Sequence, residues 1–305
     1  MDAQATGENV LTALSNAMAE AVARAGTATV LVNARRRLPA SGIGYAPGLV
    51  LTADHVIERD DDITVVLPDG TEVAATLAGR DPGSDLALLR VNGGNLTVAE
   101  TASQEARVGQ LVLALGRPTN EGIQASVGIV SAIGGPVRTG RGSLIERYLR
   151  TDTTPYPGFS GGPLVDTDGR VVGLNTSGLA RGAALTIPAG LAWQIAGTLS
   201  SHGRVRRGYL GIRSQPVGIS QSQQQALGRE QPTGLLLVWV EESSPAAQGG
   251  LIVGDILVAV GGHPVADPDE LQSVLSGSVV GQPTPVQILR GGEPTTVTVT
   301  IGERK

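Results

Sequence analysis

The chain has 305 residues, of which 41% are hydrophobic and 17% charged, a composition that excludes a disordered chain. Its net charge of −5 at pH 7 argues against a nucleic-acid partner, because nucleic-acid-binding proteins usually carry a basic face. The sequence contains no cysteine, which excludes disulfides, thiolate catalysis and cysteine-based metal sites.

A helix is predicted at residues 8–25, ENVLTALSNAMAEAVARA. Leu11, Leu14, Met18 and Val22 recur at three- and four-residue spacing, and Gly26 ends the pattern. No apolar run reaches about 18 residues and no signal peptide precedes the helix, so the sequence predicts neither a membrane span nor a leader. If Met1 is the native start, the expected location is the cytoplasm.

Short strands with turn residues between them follow, from TATVLVNA to about residue 188. Two Asp-Gly turns predict hairpins, at 69–70 and at 168–169. This density of strands predicts antiparallel barrels or sandwiches. Two basic runs, the arginines at 35–37 and the stretch GRVRRG at 203–208, fall in predicted loops and are interpreted as solvated.

A domain boundary is predicted near residues 203–207. The stretch AGLAWQIAGTLSSH (189–202) has the periodicity of a closing helix, and the polar, basic stretch after it has the composition of a linker. About a hundred residues follow with a new mixture of strands and one helical stretch, DPDELQSVL. We therefore expect one domain at 1–203 and another at 204–305.

The segment TPYPGFSGGPL (154–164) places Ser160 in a glycine-rich turn. Serine is a weak nucleophile at neutral pH and needs an imidazole base that a carboxylate orients. His55 follows an apolar strand in LVLTADHVI, and Asp85 precedes one in DPGSDLALLRV. The order His55, Asp85, Ser160 places the three groups on separate β connections and predicts a catalytic triad.

The sequence also offers two alternatives to this triad. GFSGG also fits the G-x-S-x-G pattern of α/β-hydrolase esterases, which would make His202 or His263 essential, but Pro163 and a hairpin follow where that fold needs a helix. Asp54, beside His55, is an alternative to Asp85, although neighbouring side chains on a turn usually diverge. The acidic run at 60–62 is interpreted as a solvated turn, and no metal site is predicted.

Four stretches resemble, in order, the protease domain of the HtrA (DegP-like) serine proteases: LTADHVI, DPGSDLALLRV, ASVGIVSAIG and TPYPGFSGGPLVDTDGRVVGLNT. GYLGI (208–212) and the stretch at 234–265 resemble a PDZ domain. The resemblance implies a mostly β fold, with a trypsin-like double β-barrel followed by an α+β PDZ domain.

The resemblance also implies a function. It implies a serine endopeptidase that cleaves unfolded or damaged proteins without a cofactor, with C-terminal peptides bound at the PDZ domain, and it suggests an extracytoplasmic location. The family often forms homotrimers through N-terminal aromatic residues, but residues 1–44 contain none. A homotrimer is therefore an open expectation. The rival hypothesis is a catalytically silent scaffold that binds peptides in the PDZ groove.

Site residues follow from the resemblance by position. It makes His55 the general base and acid, Asp85 the group that orients it, and Ser160 the nucleophile. The oxyanion hole is assigned to Gly158, Phe159 and Ser160. The substrate pocket is assigned to Thr154, Thr176, Ser177, Gly178, Leu185 and Ile187. The PDZ groove is assigned to Tyr209, Leu210, Gly211, Ile212, Leu271, Val274 and Leu275. Since no pocket residue is charged, a small or medium apolar P1 residue is expected.

Two positions depart from the family pattern. Phe159 and Tyr156 occupy positions where these proteases usually carry asparagine. Neither belongs to the triad, so loss of catalysis does not follow. We expect the Phe159 ring to pack on the substrate or to restrict the nucleophile loop, and exchange to asparagine to alter peptide turnover or P1 preference.

Overall fold

Helix α1 (Val10–Gly26) is the first element of the described chain, and Asn9 caps it by accepting a hydrogen bond from the backbone of Leu11. Met18 and Val22 pack against the core, whereas Leu11 is 73% exposed. Only the second half of the predicted apolar stripe is therefore covered. The computed structural model describes residues 9–138, 144–180, 183–275 and 279–303.

The first barrel is closed by antiparallel strands in the order β1-β2-β3-β6-β5-β4, with β4 returning to pair with β1. Alternate side chains of its strands point inward, where valine, leucine, isoleucine and alanine form the core. Its strands are β1 (Thr29–Asn33), β2 (Ala40–Ala46), β3 (Leu49–Ala53), β4 (Ile63–Val66), β5 (Glu72–Asp81) and β6 (Leu86–Val91).

The second barrel has the order β11-β14-β13-β12-β7-β8 and closes through pairing of β11 with β8. A two-stranded ribbon, β9 with β10, extends from it. The strands are β7 (Leu111–Gly116), β8 (Gln124–Gly134), β9 (Val137–Arg138), β10 (Leu144–Ile145), β11 (Tyr148–Thr151), β12 (Pro163–Val165), β13 (Val171–Ala180) and β14 (Ala183–Pro188).

Helix α2 (Ala189–His202) follows the second barrel and packs its buried alanine and leucine side chains against a core shared with strands of both barrels. It ends at Gly203, whose φ of 72° is readily adopted only by glycine. The chain divides into two compact units just beyond this point, Met1–Val205 and Arg206–Lys305.

The second unit is a sheet of order β16-β17-β18-β20-β21 with short helices around its own core of leucine, valine and isoleucine. Its elements are β15 (Gly208–Tyr209), β16 (Ile212–Gly218), α3 (Gln221–Leu227), β17 (Thr233–Val240), α4 (Pro245–Gln248), β18 (Ile256–Val260), β19 (His263–Pro264), α5 (Pro268–Val274), β20 (Pro283–Arg290), β21 (Glu293–Thr300) and β22 (Gly302–Glu303). The prediction of a mostly β chain with two barrels and a following α+β domain is confirmed. Within the described residues, every helix is too short or too polar to span a membrane.

Candidate active site

His55 lies on a single turn of 3-10 helix, Asp54–Val56, directly after β3. Two hydrogen bonds, both donated by backbone amides of this turn, connect it to the loop before β6. The amide of His55 donates to Oδ1 of Asp85 over 2.9 Å, and the amide of Asp54 donates to the carbonyl of Asp85 over 3.0 Å. Two backbone amides of this turn thus hold the imidazole next to Asp85, in addition to the contact between the two side chains.

Asp85 owes its position to the turn DPGSD. The carboxylate of Asp81 accepts hydrogen bonds from the amides of Gly83 and Ser84 and from the Ser84 hydroxyl. The chain then passes through Asp85 with a φ of 57°, a region that non-glycine residues seldom occupy. Strain of this kind persists where surrounding contacts enforce it, and it is frequent at functional sites.

The imidazole and carboxylate form a direct pair, with His55 Nδ1 2.8 Å from Asp85 Oδ2. A carboxylate only accepts hydrogen bonds, so the proton of a neutral ring lies on Nδ1 and leaves a lone pair on Nε2. The hydroxyl of Thr176 also donates to Asp85 Oδ2. The Asp85 side chain is 4% exposed, so these donors replace the water that burial removes.

Gly178 lies directly behind this pair. A Cβ at position 178 would lie 2.7 Å from both Asp85 Cγ and His55 Nδ1, closer than atoms pack. Any side chain there would push the imidazole and the carboxylate apart. Gly178 therefore supports the histidine–carboxylate pair and does not line the substrate pocket assigned to it.

Ser160 lies in the loop that enters β12. Gly158 and Gly161 have φ values of 87° and 86°, and the amide of Gly161 donates to the carbonyl of Asn175 over 2.8 Å. A side chain at Gly161 would collide with the carbonyl of Ser41. Positive φ and close passage both require glycine at this position.

The nucleophile and the base are connected through a further hydroxyl. Ser160 Oγ lies 3.2 Å from Ser177 Oγ, and Ser177 Oγ lies 3.5 Å from His55 Nε2. In the described part of the chain, Nε2 has no closer hydrogen-bond partner. Ser177, assigned to the pocket from the sequence, thus stands between the two reacting groups.

Two backbone amides of the nucleophile loop are free to bind an oxyanion. Those of Gly158 and Ser160 have no acceptor among the described residues, whereas the Phe159 amide donates to the carbonyl of Tyr156 over 3.1 Å. Of the three residues assigned to the oxyanion hole, Gly158 and Ser160 therefore have backbone amides that are free to donate. Phe159 does not contribute one.

The Phe159 ring is almost fully buried, although Phe159 is among the residues around the cleft. It is 2% exposed and packs among the core residues of the second barrel, with its edge against Gly116. Tyr156 covers it from outside in an edge-to-face contact, with the ring centroids 5.4 Å apart. A hydrophobic ring at this position is stabilised by the barrel core, which contradicts the expectation of packing on substrate. The alternative expectation, that the ring restricts the nucleophile loop, stays a prediction.

The cleft around Ser160 has a volume of about 380 Å³ and differs from the pocket assigned from the sequence. Thr176 and Ser177 line it together with Asn175, Tyr156 and Ala184. Leu185 and Ile187 instead point into the core, at 4% and 0% exposure, and Thr154 is exposed outside the cleft. Alternation along β14 explains the error, because it directs neighbouring residues to opposite faces.

The competing residues lie elsewhere. Asp54 is fully buried and its Oδ1 accepts a hydrogen bond from Arg80 Nε over 2.7 Å, so it is not the partner of the imidazole. His202 is at the end of α2 and His263 is in β19 of the second unit. Among the described residues, no group of three or more histidine and carboxylate side chains could hold a metal ion.

Ser41 on β2 is a residue that the sequence analysis missed. It is fully buried, its amide donates to the carbonyl of Ser160 over 3.1 Å, and its hydroxyl donates to the carbonyl of Gly158 over 2.7 Å. The amide of Arg117 donates in turn to Ser41 Oγ over 2.8 Å. Ser41 thereby holds the nucleophile loop from the first barrel. A polar residue in an apolar strand, ASGIGYA, was the one available signal.

The residues assigned to the peptide groove are close together in the second unit. Leu210, Leu271 and Leu275 belong to one buried cluster, against which Ile212 and Val274 pack. Gly211 has a φ of 79°, and Tyr209 lies in β15 beside it. Strand β16 is an edge of the sheet and contacts α5.

Comparison with known proteins places this geometry in a family. The chain matches the model of a trypsin-like peptidase domain at residues 40–174 and that of a PDZ domain at residues 208–301. Over 277 residues it is 35% identical to a probable periplasmic serine endoprotease, DegP-like, of Pseudomonas fluorescens, a match that covers 88% of this chain. The chain belongs to the HtrA (DegP-like) family of serine proteases. The match spans 57% of that relative's length.

Solved HtrA structures share the fold over nearly the whole chain. The HtrA-type protease AlgW with a decapeptide has a TM-score of 0.78 at 29% identity, covering 94% of this chain and 99% of that one. The serine endoprotease from Yersinia pestis has a TM-score of 0.78 at 33% identity, with 98% of its chain covered. The predictions of the HtrA family and of a trypsin-like double barrel followed by a PDZ domain are therefore confirmed.

Proposed function

We propose that this HtrA protein is a serine endopeptidase that cleaves unfolded or damaged polypeptides through an acyl-enzyme. The observation that carries the proposal is the cleft that Ser160 and His55 line together, where the imidazole is paired with the buried Asp85 carboxylate and the amides of Gly158 and Ser160 have no acceptor among the described residues. Groups in these roles are what acyl transfer from a peptide requires.

The first step is attack of Ser160 Oγ on the scissile carbonyl carbon. The hydroxyl proton passes to His55 Nε2, and Asp85 stabilises the imidazolium through the Nδ1 proton. Because Ser177 Oγ lies between Ser160 and Nε2, it has to move aside or carry the proton. The imidazolium then protonates the leaving amine, and a water molecule, activated by the same base, releases the acyl group.

The tetrahedral intermediate carries a negative charge on its oxygen. The amides of Gly158 and Ser160 are the donors available to that oxygen, and Ser41 keeps the Gly158 carbonyl turned away from it. One such donor contributes a factor of about 10² to 10³ in rate. These donors lower the activation barrier effectively because they are already in place and need not reorient during the reaction.

The acyl-side pocket is proposed on the wall formed by Asn175, Thr176, Ser177 and Ala184. This wall carries no formal charge, which supports a small or medium apolar P1 residue over arginine or lysine. Sequencing of products from a mixed peptide library measures this preference directly. Cleavage mainly after arginine would contradict the assignment.

The second unit is proposed to bind C-terminal peptides. The amides of Leu210 and Gly211 lie just before β16 and that of Ile212 begins it, at an edge of the sheet where an extended peptide can add as a further strand. Leu271 and Leu275 are buried in the core, whereas Val274 and Ile212 are only partly buried. Val274 and Ile212 are therefore the residues that can contact an apolar side chain at the C-terminus of a peptide. HtrA-type structures titled with a decapeptide and with a tripeptide support peptide binding in this family.

Location and assembly are proposed from the relatives and from α1. Relatives named as periplasmic support an extracytoplasmic location. Val10 and Leu11 are 78% and 73% exposed at the start of α1, which supports a homotrimer formed through aliphatic contacts. Sedimentation at several concentrations measures the assembly, and a monomer throughout would overturn it.

A fluorophosphonate probe tests the central proposal. Attack by an activated serine forms an O–P bond and expels fluoride, so wild-type protein becomes labelled and Ser160→Ala does not. Casein, which is natively unfolded, should be cleaved by the wild type alone, and a globular protein should be cleaved faster after denaturation. Absence of labelling under all conditions, with peptide binding retained, would establish the rival, a scaffold with a silent triad. Dependence on His202 or His263 would establish an esterase.

A further inference from the structure

The arginine run at 35–37, interpreted from the sequence as a solvated loop, belongs to the wall of the catalytic cleft. Arg35 and Arg37 line the same cavity as His55 and Ser160. In the described part of the chain, no aspartate or glutamate lines this cavity. The cleft is therefore locally cationic in a chain whose net charge is −5.

Arg35 shapes this wall. Its Nε donates to the carbonyl of Leu38, and its terminal nitrogen donates to the carbonyl of Pro39 over 3.2 Å. Burial lowers the pKa of the Arg35 guanidinium, and the nearby Glu58 carboxylate opposes that shift. Arg35 is thus committed to its own loop and to Glu58, and it folds residues 35–39 into a tight bend.

Arg37, unlike Arg35, has a guanidinium that is available to bind a ligand. It is exposed, and it makes no hydrogen bond or ion pair with the described residues. The same bend places the Pro39 carbonyl against the nucleophile loop, 2.9 Å from where a Cβ on Gly158 would lie. The bend thus places Arg37 in the wall of the cleft, two residues from the Pro39 carbonyl that faces Gly158.

The chemistry determines which half of the substrate meets Arg37. The acyl half is proposed to contact Asn175, Thr176 and Ser177, on the second barrel. His55 comes from the first barrel and has to reach the leaving nitrogen, so the leaving half passes along the first barrel, where the bend lies. A carboxylate in that half would pair with the Arg37 guanidinium.

We propose that Arg37 selects substrates with an aspartate or glutamate within the first three residues after the scissile bond. This inference rests on the proposed peptidase function of the same cleft. A partly exposed ion pair of this kind corresponds to about a fivefold preference and weakens as salt screens it. The preference makes acidic segments of unfolded polypeptides the favoured cleavage sites.

The test begins with sequencing of products from a mixed peptide library digested by the wild type. Acidic residues should be enriched about fivefold at positions P1′ to P3′. A matched pair of peptides, with Glu or Gln at the enriched position, then gives a ratio of kcat/KM values for each variant. The ratio should fall to one or below in Arg37→Glu and should approach one for the wild type at about 1 M salt.

Arg36→Glu is the matched control, because it makes the same charge change on the next residue, which is exposed and does not line the cleft. It should keep the wild-type ratio. An equal drop of the kcat/KM ratio in both variants would overturn the proposal, since it would indicate a general electrostatic effect of the loop and not a contact with Arg37. The proposal would also be overturned if the library products showed no enrichment of acidic residues, or showed it only on the acyl side of the scissile bond. Failure of the wild type to cleave any peptide would instead overturn the peptidase function itself.

Discussion

Phe159 acts on the nucleophile loop from inside the second barrel, although it is adjacent to Ser160 in sequence. Its ring fills the core next to Gly116, and its amide is bonded to Tyr156. The two flanking amides, those of Gly158 and Ser160, are thus positioned by a residue whose side chain is buried in the barrel core. At the scale of one residue, hydrophobic packing positions the oxyanion donors.

Exchange of the Phe159 ring tests this packing role. Phe159→Ala should lower the free energy of unfolding of the first unit by about 3–5 kcal/mol, because it leaves a cavity in the core. Phe159→Leu, the matched control, should cost less than about 1.5 kcal/mol. A Trp239→Phe background leaves Trp193 to report urea unfolding of the first unit. An unchanged midpoint in Phe159→Ala would contradict a buried ring.

Ser177 competes with the nucleophile for the base. Nε2 of His55 has one lone pair, and the Ser177 hydroxyl lies nearest to it. Removal of that hydroxyl in Ser177→Ala should let Ser160 bond the imidazole directly and raise the labelling rate by a fluorophosphonate up to about fivefold, the worth of one hydrogen bond. Ser177→Thr keeps the hydroxyl and should label at the wild-type rate. A fall in Ser177→Ala would mean that Ser177 carries the proton.

At the scale of elements, the site is assembled from connections of both barrels. The first barrel supplies the base, its carboxylate and Ser41, and the second supplies the nucleophile loop and Thr176. The hydrogen bonds of Ser41 to the carbonyls of Gly158 and Ser160 join the two. The relative position of base and nucleophile therefore depends on this junction.

Ser41→Ala should weaken the junction. The Gly158 carbonyl and the Arg117 amide would lose their partner in a buried site, at a cost of about 1–3 kcal/mol in unfolding free energy. Since the loop then moves relative to the imidazole, kcat should fall while KM changes little. Thr29→Val is the matched control, because it removes a buried hydroxyl bond to Ala25 in the same barrel away from the loop. Equal kcat in both variants would exclude a positioning role for Ser41.

At the scale of the whole molecule, the chain contains two units with separate cores. The second unit buries its own leucine, valine and isoleucine side chains under a continuous sheet. A unit of about 100 residues with such a core can fold by itself. The catalytic residues all lie in the first unit, and the proposed peptide groove lies in the second.

Residues 206–305 produced alone should therefore fold and unfold cooperatively, as measured by circular dichroism during thermal unfolding. The isolated unit should bind a peptide with a free C-terminal carboxylate and should not bind the same peptide when amidated, because the carboxylate is the group that the amides recognise. Leu271→Asp, which places a charge in the buried cluster, is the negative control for folding. A disordered fragment would contradict an independent core.

The sequence by itself determined the family, the barrel-and-PDZ architecture and the expected triad, because periodicity, turn residues and short motifs are local properties of the chain. Only the tertiary structure decided that Phe159 points into the core, that Leu185 and Ile187 are buried, that Ser41 bonds the nucleophile loop and that Arg37 lines the cleft of Ser160. Each of these depends on contacts between residues far apart in sequence. Strand pairing in a barrel brings residues that are distant in sequence close together in space, and no local sequence pattern predicts which side chains then come into contact.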